Sequence, residues 1–443
     1  MIGMGMIGYR YRLGEQLGAG GMGAVYRAYD RLNATEVALK QVNIPVEFLE
    51  FMSRATLGAT TGLWTALAEE FKTLASLRHP HIISVLDYGF DSHRQPYYTM
   101  ELLSQPATLL AYGADKTIPD KINLIIQVLQ ALAYLHRRSV IHRDLKPDNV
   151  LVVGGQAKVL DFGLAVTRSQ QTEDTPAGTL HYMAPEVLNG QSASFSSDLY
   201  AVGVMAYQLF SHTLPFDSDD GLENLIEAVT TQLADVNPLP IDAALKDVIG
   251  RLLAKTPADR YINATEAMIA LSQAVVQLPP SETVALRESF IQSAEFVGRQ
   301  RELRLLKDAL QNAMNSKGSA WLVGGESGVG KSRLLDELRT QALVDGALVV
   351  RGQAVEGGGL PYQLWREPLR RLVLSVELND LEASVLKPIV PDIDSLLERA
   401  IPDAPELPGE AGQQRLVQTI IDVIRRQPHP MVLLLEDLQW SEE

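Results

Sequence analysis

The chain has 443 residues, 46% hydrophobic and 21% charged, with a formal net charge of -15 and no cysteine. That length suits two or three domains with ordinary cores. The acidic balance argues against a general binder of nucleic-acid phosphates, and the missing thiols exclude disulfides, cysteine-ligated zinc and thiol catalysis.

Tyr9 to Leu17, Ala24 to Tyr29 and Glu36 to Val42 read as strands, from their β-branched and aromatic content between Gly and Asn punctuation. Leu67, Phe71, Leu74 and Leu77 fall on one helical face. Helical spacing returns at Lys121 to Leu135, Ser197 to Phe210, Leu222 to Leu233, Ala243 to Leu253 and Ala264 to Val275. Pro279, Pro280 and Ser281 mark a linker. Beyond it the pattern is strand (Ala320 to Gly324), helix (Lys331 to Leu343), strand (Ala347 to Gly352), helices and strand (Met431 to Glu436), which predicts a parallel α/β sheet. The sequence ends soon after that strand, so an incomplete second domain is expected. Met1 to Gly8 is too short for a signal-peptide core, and no run reaches about eighteen apolar residues, so a cytoplasmic protein without a membrane partner is expected.

Phosphoryl transfer needs the phosphates covered, their charge neutralised, a metal held and the acceptor hydroxyl positioned. Gly18, Gly20 and Gly23 form a GxGxxG pattern between two strands, where backbone amides can approach phosphate oxygens. Alone this is also the pattern of a Gly-rich hairpin turn. Lys40, in Val37-Ala-Leu-Lys40, would reach the α and β phosphates, with Glu70 as its counter-charge and Glu69 as the alternative. His142-Arg-Asp-Leu-Lys-Pro-Asp-Asn149 places Asp144 to orient or deprotonate the acceptor, Lys146 to neutralise the γ-phosphate and Asn149 to ligate Mg2+. Asp161-Phe-Gly163 supplies a metal-bridging carboxylate twelve residues later.

With these motifs the chain from Tyr9 to about Val275 resembles a bacterial, eukaryotic-like (Hanks-type) protein Ser/Thr kinase. The resemblance implies a bilobal α+β kinase fold over 9–275, with ATP and Mg2+ as cofactors and proteins bearing Ser or Thr as substrates. It implies that Val25, Ala38 and the hinge from Glu101 to Leu103 surround the adenine, with Met100 as gatekeeper. It also implies that Asp198 braces the catalytic loop, that Glu186 pairs with Arg260, and that Leu74, Val85, His142 and Phe162 form a regulatory spine. Lys146 and Gly178-Thr179 fit the Ser/Thr type, and the peptide-docking stretch Gly178 to Glu186 disfavours a small-molecule kinase. Arg143 before Asp144 implies activation by phosphate, with self-phosphorylation expected at Thr172 or Thr175; Glu173 and Asp174 could supply part of that charge unmodified. The insertion Ile44 to Trp64 is unusually apolar, and reads either as extra helix or as a docking surface.

After a linker at 276–293, Gly325-Glu-Ser-Gly-Val-Gly-Lys-Ser332 matches GxxxxGK[ST]. Its loop amides, Gly330 among them, would cradle phosphates; Lys331 would reach the β and γ phosphates, and Ser332 a magnesium ion. Val432-Leu-Leu-Leu-Glu-Asp437 is an apolar strand ending in acids, with Glu436 expected in the metal shell through water and Asp437 at the attacking water. Together with Phe296-Val-Gly-Arg299, these motifs make 294–443 resemble the AAA-like module of signal-transducing NTPases with numerous domains. The whole is read as multidomain: a kinase followed by an incomplete α/β P-loop NTPase domain with little expected ATPase activity of its own. The competing reading is a signalling scaffold dominated by the NTPase switch.

Overall fold

The computed structural model describes residues 5–20, 23–42, 77–91, 95–160, 180–216, 221–275, 298–356, 361–407 and 410–440. They fall into two compact units, one drawn from Met1–Ala75, Val85–Leu102 and Glu295–Glu443, the other from Ser76–Ser84 and Leu103–Ala294.

The first unit carries a six-stranded antiparallel sheet in the order β1-β2-β3-β4-β6-β5. Its strands are β1 (Met6–Ile7), β2 (Tyr11–Gly20), β3 (Gly23–Asp30), β4 (Thr35–Val42), β5 (Val85–Phe90) and β6 (Pro96–Glu101). Directly opposed residues share a face of a sheet, and residues two apart along a strand do the same. Lys40 lies opposite Val25 and Tyr98, and Ala38 opposite Met100, so all five share one face. The other face carries Val37 and Leu39, which join Ile7, Tyr11, Ala28 and Tyr97 in an apolar cluster.

The same unit contains the nucleotide module. Its helices α8 (Gln300–Met314) and α9 (Lys331–Val344) precede the parallel pair β10 (Leu348–Gln353) and β11 (Met431–Glu436). Between the two strands lie α10 (Gln363–Leu372), α11 (Asp380–Leu386) and α12 (Ile393–Leu397), with α13 (Glu410–Arg425) running into β11. The strand expected at Ala320 to Gly324 does not form. β10 and β11 pair with each other, and 320–324 pairs with neither. Val323 still packs on the cluster of Leu310, Leu334 and Leu434, while Leu322 is 86% exposed. An apolar run without a ladder partner has no strand hydrogen bonds to hold it.

The second unit is mainly helical. Its short elements α1 (Leu109–Gly113) and α3 (Pro185–Leu188) flank the main helices α2 (Ile118–Arg137), α4 (Phe195–Ser211), α5 (Leu222–Thr231), α6 (Ala243–Leu252) and α7 (Ala264–Ala274). α2 starts at a Thr117 cap with Pro119 in its first turn. Ile122, Ile125, Val128, Leu129, Leu132 and Tyr134 are buried nearly all round it, as in a central helix. A small sheet, β7 (Ala107–Thr108), β8 (Val150–Val153) and β9 (Gln156–Val159), lies beside it. The β8–β9 hairpin turns on Gly154 and Gly155, both at positive φ (56° and 83°), the left-handed pair such a two-residue turn requires. Among the described residues no helix is long and apolar enough to cross a membrane.

Candidate active site

In the first unit the nucleotide-side candidates lie on the sheet. Gly18 pairs with Val25 and Gly20 with Gly23 at the β2–β3 end. A Cβ at Gly18 would meet nothing within 4 Å, so backbone there is open to a close ligand. Lys40, Ala38 and Met100 are 6%, 6% and 5% exposed. The Lys40 ammonium lies 6.0 Å from the centre of the Tyr98 ring. Glu101 ends β6 and is half-buried. Glu70 and its alternative Glu69 lie outside the described residues, as do Leu74 and the insertion Ile44 to Trp64.

In the second unit the loop 142–149 is held from below by Asp198, near the start of α4. That carboxylate is 1% exposed and accepts from the His142 backbone N–H at 2.9 Å, the Arg143 N–H at 3.0 Å and His136 Nε2 at 2.8 Å. The clamp holds Arg143 at φ 69°, a left-handed conformation uncommon for a non-glycine residue. His142 Nε2 bonds the Leu160 carbonyl at 3.0 Å, and the Leu160 N–H donates to the Asn149 carbonyl at 2.8 Å. These bonds tie the loop to the residue just before Asp161.

The loop's functional groups converge. Lys146 Nζ is 3.3 Å from Asp144 Oδ2. Asn149 Nδ2 donates to the Asp144 backbone carbonyl at 2.7 Å and to its Oδ2 at 3.2 Å. With its nitrogen committed there, the Asn149 amide presents its oxygen as the free ligand atom, and an oxygen donor suits a hard cation such as Mg2+. A groove beside Asp144 is lined by Tyr182, Met183 and Ala184. Glu186 and Arg260 form a buried bidentate pair, with both bonds at 2.8 Å. Leu103 is half-buried. Asp161, Phe162, Thr172, Thr175, Gly178 and Thr179 lie outside the described residues.

The second candidate site is the loop Gly325 to Ser332. Gly328 and Gly330 have φ of 80° and 90°, and a Cβ at either would meet nothing within 4 Å. α9 then starts at Lys331 with its first N–H groups facing the loop, which fits an anionic phosphate. Lys331 Nζ donates to the carbonyls of Gly325 (2.8 Å) and Glu326 (2.9 Å), and Ser332 is exposed next to it. Arg299 donates to the Val329 carbonyl at 3.1 Å. Glu436 is 7% exposed and paired with Arg351 across the strand pair. Asp437 accepts from Gln353 at 2.8 Å. Neither Arg299 against the loop nor Arg351 against Glu436 was anticipated. The available signal was Glu436, a carboxylate ending the apolar run of β11: once buried it needs a counter-charge, and the exposed Arg351 on β10 supplies it.

Comparison with known proteins agrees with this geometry. Residues 11–270 match the protein kinase domain model, and residues 295–443 match the AAA ATPase domain model. A probable serine/threonine-protein kinase of Streptomyces coelicolor is 33% identical over 63% of this chain and 42% of its own length. The serine/threonine-protein kinase pkn3 of Myxococcus xanthus is 34% identical over 61% of this chain and 50% of its own. The Aurora/IPL1-related protein kinase 2 of Caenorhabditis elegans is 30% identical over 56% of this chain and 78% of its own. The chain belongs to the protein kinase family, and its kinase domain is followed by an AAA ATPase domain. It spans half or less of the length of the bacterial relatives described here. Both matched domains imply ATP as their nucleotide.

Proposed function

We propose that the chain transfers the γ-phosphoryl group of ATP to Ser and Thr hydroxyls of proteins, itself included. The observation that carries this is the Asp198-braced loop, which brings Asp144, Lys146 and Asn149 into mutual contact. The acceptor hydroxyl lies against Asp144, whose carboxylate orients it and takes its proton as the new O–P bond forms. The bond from the γ-phosphorus to the β-bridging oxygen breaks, and ADP leaves. Lys146 balances charge on the moving phosphoryl group, and Lys40 holds the α and β phosphates against its counter-charge Glu70. Gly18, Gly20 and Gly23 cover the phosphates, while Val25, Ala38, Met100, Glu101 and Leu103 surround the adenine. Asn149 and Asp161 hold Mg2+, which neutralises the phosphates when bound. Phosphate on Thr172 or Thr175 would pair with Arg143 and raise activity.

The kinase domain takes 9–275, the linker 276–293 and the ATPase module 294–443. The module is of the signal-transducing type, a nucleotide-dependent switch rather than a fast ATPase. Gly325, Gly330 and Lys331 hold its phosphates and Ser332 its metal. Glu436, paired with Arg351, would join the metal's shell through water.

The test is transfer of labelled γ-phosphate from Mg-ATP to the chain itself and to a generic basic protein. Label should appear with the natural chain and vanish with Asp144→Asn. Label that survives Asp144→Asn, or no label with Mg2+ or Mn2+, would overturn the kinase reading and favour the scaffold.

A further inference from the structure

Within the first unit, the module segment 362–401 lies against the turn after β3 and the start of β5. Leu32, in that turn, is 9% exposed and belongs to one apolar cluster with Leu369, Leu372, Val373 and Ile393 of the module. Its carbonyl accepts from Arg370 Nη2 at 2.5 Å. Arg31 donates to the Leu396 carbonyl, and both Arg31 and Arg12 reach Glu398.

Beneath this rim is a charged centre. Arg10 is bidentate to Asp30, with both bonds at 2.6 Å, and also grips Asp87 on β5. The Tyr11 hydroxyl donates to Asp87 Oδ2 at 3.0 Å, and Arg371 of α10 approaches the same oxygen at 3.6 Å. Asp87 therefore faces one cation from its own sheet and one from the module. Burial pushes its carboxyl up, but Arg371 and then Arg10 outweigh that and hold it below the usual range. An apolar residue seated in the partner's core, ringed by charge pairs, is the anatomy of a specific interface rather than an incidental contact.

We propose that this surface of the six-stranded sheet is the docking site of the chain's own ATPase module, seated on Leu32 and latched by Arg371 on the Arg10–Asp87 pair. The occupant is segment 362–401 of the same chain, because its side chains complete both the apolar seat and the ion cluster.

The absence of cysteine makes a direct test available. In the full chain, Arg12→Cys with Glu398→Cys introduces two thiols at exposed rim positions, where ion pairs contribute little. A short bismaleimide should join them within one chain, at the monomer mass and at a rate independent of protein concentration. Adding Arg371→Glu, which sets a carboxylate against Asp87, should slow the reaction by about tenfold or more. Far-UV circular dichroism checks the fold of that variant. If it fails, Arg371→Gln takes its place, with the same direction expected. Product no greater than in a mixture of the two single-cysteine chains, or product only at twice the chain mass, overturns the proposal. An unchanged rate with Arg371 replaced overturns the latch.

Discussion

Replacing Glu186 should loosen the segment around α3 far more than a surface change would. Arg260 is 1% exposed, and its guanidinium is fully engaged. It donates to both Glu186 oxygens at 2.8 Å, to the Ser196 carbonyl at 2.9 Å, to the Ala254 carbonyl at 2.8 Å and to the Lys255 carbonyl at 3.2 Å. Glu186→Ala leaves that buried cation without a counter-charge, at a cost of about 3–5 kcal/mol. Burial raises the Glu186 carboxyl, but its bonds to Arg260 hold it below the usual carboxylate range. A lowered folded-state pKa means the pair stabilises the fold above the unfolded value and fails only as pH falls through the lowered one. At neutral pH the full effect is therefore present. Tryptophan fluorescence is a poor probe, because Trp64, Trp321, Trp365 and Trp440 all lie outside the 103–294 stretch. Amide hydrogen exchange over 184–200 reads the region directly. A loss of 3 kcal/mol predicts exchange about 150-fold faster, at 1.4 kcal/mol per factor of ten. The double variant Glu186→Leu with Arg260→Met should recover most of that protection, because an apolar pair of similar volume replaces both charges. Acceleration below about fivefold, or a double variant as fast as the single one, would refute the reasoning.

Three further outcomes follow from the same unit. Gly203→Ala on α4 brings a Cβ to 2.8 Å from Leu252 Cβ and 3.2 Å from its backbone carbonyl carbon, so α4 and α6 must separate. Thermal denaturation should show a loss of about 1–3 kcal/mol. Asp198→Asn keeps the shape but cannot serve all three donors as an acceptor. It should lower kcat by about tenfold or more with KM for ATP little changed, measured in the phosphate-transfer assay. Burial, with Arg260 nearby, pushes Lys255 down to about 8. Between that value and the ordinary lysine range the unfolded chain binds more protons, so stability attributable to Lys255 rises with pH there. Urea midpoints should show the natural chain gaining on Lys255→Met from pH 8 to 10.

Local patterns were the legible part of this molecule. β-Branched and aromatic content between turn residues located β2 to β4, and three-four spacing located α2 and α4 to α7 to within a few residues, because these elements commit their apolar residues to a core. The catalytic loop was legible for another reason: its residue types are dictated by chemistry, and the clamp by Asp198 followed once the family resemblance was drawn. What sequence could not show were partnerships set by distant chain. Ala320 to Gly324 has a strand's composition, yet strand formation depends on a ladder partner that composition does not reveal. Arg371, Asp87 and Leu32 are ordinary in their own segments and acquire meaning only where those segments meet.

The two buried ion clusters differ in what they hold. Asp198 and the Glu186–Arg260 pair fix backbone that has little secondary structure of its own, such as the loop 142–149 and the stretch between α6 and α7. There the charges take the place of a ladder or a helix, and their hydrogen bonds give the loop one conformation instead of several. The Arg10–Asp87–Arg371 cluster instead joins two pieces of structure that are each already regular, a sheet and a helix. Removing a charge from the first kind should disorder a loop and cost activity directly. Removing Arg371 should leave both partners folded and change only how firmly they stay together.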